Sequence, residues 1–260
     1  QANHTGNMAD TIPPMGVQPY GFFVDIAAQI KKSVNIPVST VGRIFNPKMA
    51  ESILESDKAD IIGIGRILLA DADWVNKIIE NRQEDIRECI CCNKGCTDNI
   101  QNRKFLSCIL NAENGYEGTR KINKSESKKK VIVVGGGPAG LEAARVASLK
   151  GHDVTLFEES TSLGGQLNLA CIPPRKNEMR RAIRFLTHSV VSQNVDLRLG
   201  RKVNEEDILS LNPDVVLVAV GASNFIPHID GYDKQIVCDS WKIFSHFTTY
   251  HTSTNYSNIA

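Results

Sequence analysis

Apolar positions along the first eighty residues alternate between two rhythms. Phe22, Phe23, Ile26, Ala27 and Ile30 keep helical spacing, and the run Ile36-Pro37-Val38-Ser39-Thr40-Val41 that follows is short and β-rich. Gly42-Arg43 closes that strand. Pro47 opens a second helix carrying Met49, Ile53 and Leu54, since proline fits a first turn, where its missing amide has no helical partner. Asp60-Ile61-Ile62-Gly63-Ile64 reads as a buried strand and ends in the same pair, Gly65-Arg66. A last helix carries Trp74, Val75, Ile78 and Ile79, so residues 1–80 predict an αβαβα order.

Residues 81–130 change character, from charged to cysteine-rich to a polar linker over Asn123–Lys130, which marks a domain boundary. The run Lys128-Lys129-Lys130 reads as a solvated part of that linker. From Val131 a second α/β unit is predicted over 131–240. It holds strands at Val131–Val134, Asp153–Phe157, Val195–Leu199 and Asp214–Val220, with helices at Pro138–Lys150 and Asn177–Ser192. Gly151 stops the first of these helices, and the last strand is wholly apolar. Residues 241–260 lose periodicity and predict an irregular tail.

Composition narrows the function classes. The 260 residues carry 30 Lys+Arg against 29 Asp+Glu, a net charge of +1, which gives no basic field for nucleic acid or an anionic membrane. No apolar run reaches the ~18 residues of a membrane span, and the first ten residues are polar, without the apolar core of a secretory signal. Five of the seven cysteines fall between Cys89 and Cys108. An odd count without an export signal favours metal ligation over a disulfide framework, in a reducing, cytoplasmic setting.

Three groups of residues carry candidate chemistry. Cys89, Cys92, Cys96 and Cys108 give the spacing Cys-x2-Cys-x3-Cys-x11-Cys when Cys91 is skipped, although Cys91 could exchange roles with a neighbour. Three ligands on one tight loop and a fourth from a later segment suit a [4Fe–4S] cluster, with Gly95 giving the loop freedom to wrap. A structural zinc site uses the same four thiolates. Next, Gly135-Gly136-Gly137-Pro138-Ala139-Gly140 sits between a strand and a helix, where glycines and helix amides receive a pyrophosphate. Glu158, at the end of the following strand, is placed to accept hydrogen bonds from ribose hydroxyls and would repel a 2′-phosphate. Finally, Gly42-Arg43 and Gly65-Arg66 end consecutive strands, as phosphate loops do in β/α barrels, and two guanidinium groups suit a dianion.

These residues resemble a known family. The runs Ile36-Pro37-Val38, Val41-Gly42-Arg43-Ile44, Ala59-Asp60-Ile61-Ile62, Gly65-Arg66 and Leu69-Ala70-Asp71 look like the end of an old-yellow-enzyme barrel. Followed by Cys89-x2-Cys92-Asn93-x2-Cys96 and Ser107-Cys108-x2-Asn111, they are similar to the NADH:flavin oxidoreductase and 2,4-dienoyl-CoA reductase group, with its enoate reductase, trimethylamine dehydrogenase and bile-acid oxidoreductase relatives. The resemblance implies NAD(P)H as electron donor, FAD, a [4Fe–4S] cluster, and FMN facing a substrate with an activated double bond, an enoyl-CoA or an enone. It assigns Gly42, Arg43, Gly65 and Arg66 to the FMN phosphate. Gly135, Gly137, Ala139, Gly140, Glu158, Gly165, Gln166 and Gly221 fall to FAD, and His4 is the candidate catalytic residue.

The chain also departs from that family. Its barrel begins near the sixth strand, no second glycine-rich fingerprint follows Gly221, and the first residue is Gln. The expected fold is therefore α/β: the C-terminal part of a TIM barrel, a cysteine-rich cluster linker, and a partial Rossmann-like FAD-binding domain. The expected function is reduction, or reverse desaturation, of an activated C=C bond, completed by a complementary subunit or by missing parts of the same polypeptide. A non-catalytic electron-transfer module and an inactive truncated fragment are the alternatives.

Overall fold

The computed structural model describes residues 12–251, and the side chains of residues 246–251 are left aside. The chain divides after Lys121 into two compact units.

In the first unit, α1 (Val24–Lys31) leads to β1 (Ser39–Thr40), α2 (Pro47–Glu55) and β2 (Ile61–Ile62). The strands pair in parallel, Ser39 opposite Ile61 and Thr40 opposite Ile62. Asn46 caps α2 by accepting the Lys48 N–H at 2.9 Å, which places Pro47 at the first helical position. Val24, Ile44, Ile53 and Ala59 form the core, with Met49, Ala50 and Ile62 packed on it. One face of the strand pair is thereby covered. The other is not: Ile61, expected to be buried, is 54% exposed, because among the described residues no layer lies over that side. Two short helices that lack a long apolar period, α3 (Arg66–Ala70) and α4 (Trp74–Ile79), follow, then a 3-10 turn at Gln83–Asp85 and α5 (Thr97–Gln101).

The second unit is a parallel sheet with a glycine-rich turn at the start of its first helix. Its elements are β3 (Lys130–Val134), α6 (Pro138–Leu149), β4 (Asp153–Phe157), α7 (Leu167–Ala170), α8 (Arg180–Ser192), β5 (Asp196–Arg198), α9 (Glu205–Leu209), β6 (Val215–Val218) and α10 (Ser240–His251). The strand order is β5-β4-β3-β6, all parallel. Helices α6 and α8 share one core with the sheet, through Leu141, Ala144, Phe185, Leu186 and Val190 against Val131, Val133, Val154 and Leu156. Strand β6 forms one edge, and its Val218 is 72% exposed despite an apolar sequence.

One expectation is corrected here. The tail predicted as irregular from residue 241 begins as helix α10. Asp239 starts it by accepting the Lys242 N–H at 3.0 Å, a capping contact that outweighs the weak periodicity of SWKIFSHFTTYH.

Candidate functional site

Each unit gathers candidate residues of its own. In the first, the segment after α4 is pinned by a buried carboxylate. Asp71 accepts the Lys77 ammonium at 2.7 Å and the Arg87 N–H at 2.8 Å, while Lys77 also donates to the Asp85 carbonyl at 3.0 Å. This fixes the chain two residues before Cys89. Cys89, Cys92, Cys96 and Cys108 then line one small cavity together with Arg66, Leu69, Asn93 and Ser107. Cys91 is not among the residues lining it: fully buried, with φ +53°, it turns its backbone so that its carbonyl accepts the Met15 N–H at 3.0 Å.

Gly95 matters for a reason other than the one its sequence suggests. Its φ is not in the left-handed region, which Cys91 and Asn93 occupy instead. A Cβ on Gly95 would lie 2.6 Å from the Ser107 carbonyl oxygen. The two backbones need that close approach, because the Ser107 N–H donates to the Gly95 carbonyl at 2.7 Å and so delivers Cys108 beside Cys96. No disulfide forms among the described cysteines. Burial pushes the Cys92 and Cys108 thiols up, and this is opposed by backbone hydrogen bonds from Lys94 to Cys92 and from Leu110 and Asn111 to Cys108. The Cys91 N–H donates to the Cys89 sulfur at 3.3 Å. Among the described residues no three His, Cys, Asp or Glu side chains lie close enough to share a single metal ion. The donor set, four thiols with backbone N–H groups aimed at three of them, fits a thiolate-ligated cluster.

Gly42, Arg43, Gly65 and Arg66 line a second, larger cleft of about 690 Å³. Arg43 is buried, its guanidinium over the Tyr20 ring at 4.9 Å and donating to the Pro14 carbonyl at 3.0 Å. Arg66 donates from Nη1 to the Pro13 carbonyl at 2.9 Å and to Asn93 Oδ1 at 2.6 Å. Both guanidinium groups, expected from the sequence to suit a dianion, also hold the Pro13-Pro14 segment. The Arg66 Nε and Nη2 have no protein acceptor among the described residues, so a phosphate in the cleft fits them.

The second unit brings together most of the remaining candidates. Gly140, in the first turn of α6, has no room for a side chain, since a Cβ there would stand 1.8 Å from the Gly135 carbonyl oxygen. Gly137 caps α6, and Ala139, exposed in its first turn, contributes one of the amides that helix geometry leaves without a partner. The Gly137 and Gly165 backbones touch closely enough to exclude a Cβ at Gly165, 2.8 Å from the Gly137 Cα. Gln166 reaches across to donate to the Ala222 carbonyl at 2.6 Å, next to Gly221. Glu158 is buried and accepts the Gly136 N–H at 2.5 Å and the Ser160 N–H at 2.8 Å. The cradle of side-chain-free backbone, helix amides and a carboxylate fits a dinucleotide. His4 lies outside the described residues. Asn93 and Ser107 join the site without a role assigned from sequence; the signal at Asn93 was that asparagine is among the few residue types that readily take left-handed backbone.

Comparison with known proteins finds oxidoreductases for both units. Residues 16–85 match the NADH:flavin oxidoreductase / NADH oxidase family, and residues 129–255 match the pyridine nucleotide-disulphide oxidoreductases. The bilirubin reductase of Mediterraneibacter gnavus is 60% identical over 246 residues, 95% of this chain and 38% of the relative. The NADH oxidase of Thermoanaerobacter brockii is 41% identical over 230 residues, 86% of this chain and 35% of that enzyme. A solved 2-naphthoyl-CoA reductase complex superposes with a TM-score of 0.85 at 32% identity, covering 88% of this chain and 35% of that one. Parallel βα units carrying a glycine-rich dinucleotide turn define the class, an α/β flavoprotein. The chain belongs to the NADH:flavin oxidoreductase / 2,4-dienoyl-CoA reductase-like family. It spans little more than a third of the length of the relatives it matches. No helix among the described residues is long and apolar enough to cross a membrane.

Proposed function

We propose that this chain holds the cofactor-binding core of an iron–sulfur flavoprotein that reduces, or in reverse desaturates, an activated C=C bond in a small molecule such as an enone or an enoyl thioester. One observation carries the reading. Cys89, Cys92, Cys96 and Cys108 surround a single cavity, and Arg66 in its wall also lines the cleft formed by Gly42, Arg43 and Gly65. Bound at these places, FMN, FAD and a [4Fe–4S] cluster would supply the hydride and single-electron chemistry that protein side chains lack, with NAD(P)H as donor.

The chain's own residues bind and orient. Arg66 and the backbone at Gly42 and Gly65 take the FMN phosphate, and Arg43 stiffens that loop by stacking on Tyr20. Gly135, Gly137, Ala139 and Gly140 would present backbone to the FAD pyrophosphate, and Glu158, held by the Gly136 N–H, would accept a hydrogen bond from a ribose hydroxyl. Gly165 lies against the Gly137 turn, while Gln166 holds the loop at Gly221. The relatives named as reductases of bilirubin and of 2-naphthoyl-CoA support a conjugated small-molecule acceptor. Four thiols around one cavity, at the spacing Cys-x2-Cys-x3-Cys-x11-Cys, support a thiolate-ligated cluster.

Metal and flavin analysis after anaerobic reconstitution tests the reading. Iron with acid-labile sulfide and retained flavin are expected, with Cys108→Ser losing iron and Cys91→Ser keeping it. Zinc in place of iron would overturn the cluster assignment.

A further inference from the structure

Of the residues lining the cysteine cavity and the Gly42–Arg66 cleft, Arg66 alone is common to both. Its guanidinium is always charged at working pH. Two acceptors fix the orientation of that charge, the Pro13 carbonyl at 2.9 Å and Asn93 Oδ1 at 2.6 Å. Asn93 is itself fixed at both ends of its amide, for its Nδ2 donates to the Ile12 carbonyl at 2.8 Å. Asn93 follows Cys92 directly, is buried, and takes φ +60°, a conformation in which glycine would be the easier residue. An asparagine there keeps the turn and adds a side chain, and that side chain is engaged on the arginine and on the Ile12 carbonyl.

We propose that the Asn93–Arg66 hydrogen bond holds a positive charge against the cysteine cavity and sets the reduction potential of the cluster, with Asn93 as the positioning residue. The inference rests on the cluster reading above. Reduction adds one electron to a group already held by four thiolates. A guanidinium fixed nearby, in a setting of lower dielectric than water, stabilises the added negative charge and raises the midpoint. Asn93→Asp would keep an acceptor for Arg66 and set a carboxylate beside it, cancelling most of the field at the cost of the donor to the Ile12 carbonyl.

The test is a redox titration of the reconstituted full chain, followed by the electron paramagnetic resonance of the reduced cluster. Asn93→Asp and Arg66→Gln should each make the cluster at least tenfold harder to reduce, about 59 mV lower for one electron. Arg66→Lys, which keeps the charge, should bring the midpoint back towards the wild-type value. A merely structural role would change cluster content without this ordering. Unchanged midpoints in Asn93→Asp and Arg66→Gln, with the cluster signal intact, overturn the inference alone. Loss of the cluster in all three variants makes the residues structural and overturns it as well. A wild-type chain that takes up no cluster overturns the cluster reading and this inference together.

Discussion

At the scale of the residue, function here depends on where side chains are forbidden as much as on where they are present. Gly140→Ala would press a methyl group into the Gly135 carbonyl, so the turn that receives the pyrophosphate must open. Overpacking of this kind costs about 1–3 kcal/mol. The variant should therefore melt earlier and release its flavin on gel filtration, which thermal denaturation and the absorbance of the protein peak would show. The glycine turn was legible in the sequence, because steric exclusion leaves a fixed spacing between a strand and a helix. The identity of the spare cysteine was not. It depends on left-handed backbone at Cys91 and Asn93, a conformation that asparagine hints at but cysteine does not. The engagement of Arg43 and Arg66 with Pro13 and Pro14 was hidden for a related reason, since those bonds join residues 29 and 53 positions apart.

At the scale of the element, the ties between short pieces are what hold the first unit in register. Asp71 is buried, and its partner Lys77 is nearly so, so Asp71→Ala would leave the ammonium with the Asp85 carbonyl but no counter-charge, and the Arg87 amide without its acceptor. Breaking a buried pair in this way costs about 3–5 kcal/mol. Denaturant unfolding should register that loss, with looser iron binding because the chain entering Cys89 is released. The strand pair has a second, exposed tie. Lys31 bonds Asp60 at 2.8 Å, and Asp60 also accepts the Val38 N–H at 2.7 Å. The Lys31 hydrogen bond, then that of Val38, holds the Asp60 carboxyl below its ordinary range. A carboxyl lowered in the folded state adds stability above its unfolded value, and this is lost as pH falls through the folded value. Asp60→Asn should therefore remove that small increment at neutral pH, leave stability below the folded value little changed and so flatten the acid limb, as melting at several pH values would show. The longer elements, α1, α2, α6, α8 and all six strands, were readable from periodicity. The five-residue helices α3, α5 and α9 were not, being too short to show a period. In α9 the capping box of Asn204 with Asp207 was the signal to use.

At the scale of the whole molecule, each unit has its own core and its own candidate ligands. Calorimetry should accordingly resolve two transitions. FAD at a hundredfold excess over its dissociation constant should raise only the second unit's transition, by about 2.7 kcal/mol of stability, while an iron chelator should lower only the first. A single transition moved by both ligands would contradict this separation. The parallel α/β class was legible because strands alternated with helices along the chain. The uncovered faces at Ile61 and Val218 were not, since apolar strands read as buried whether or not a neighbouring layer is present. The position of β6 also carries a consequence for how the sheet assembles. It pairs with β3, Val131 opposite Val215, and the Asp214 carboxylate accepts the Lys130 N–H across 84 residues of sequence. The β3–β4 and β4–β5 pairs close over far shorter stretches of chain. Contacts of long sequence separation form slowly, so β6 is the strand expected to dock last. Until it does, the β3 edge stands open beside the glycine turn, and refolding at high concentration should lose more chain to aggregation than refolding at low concentration.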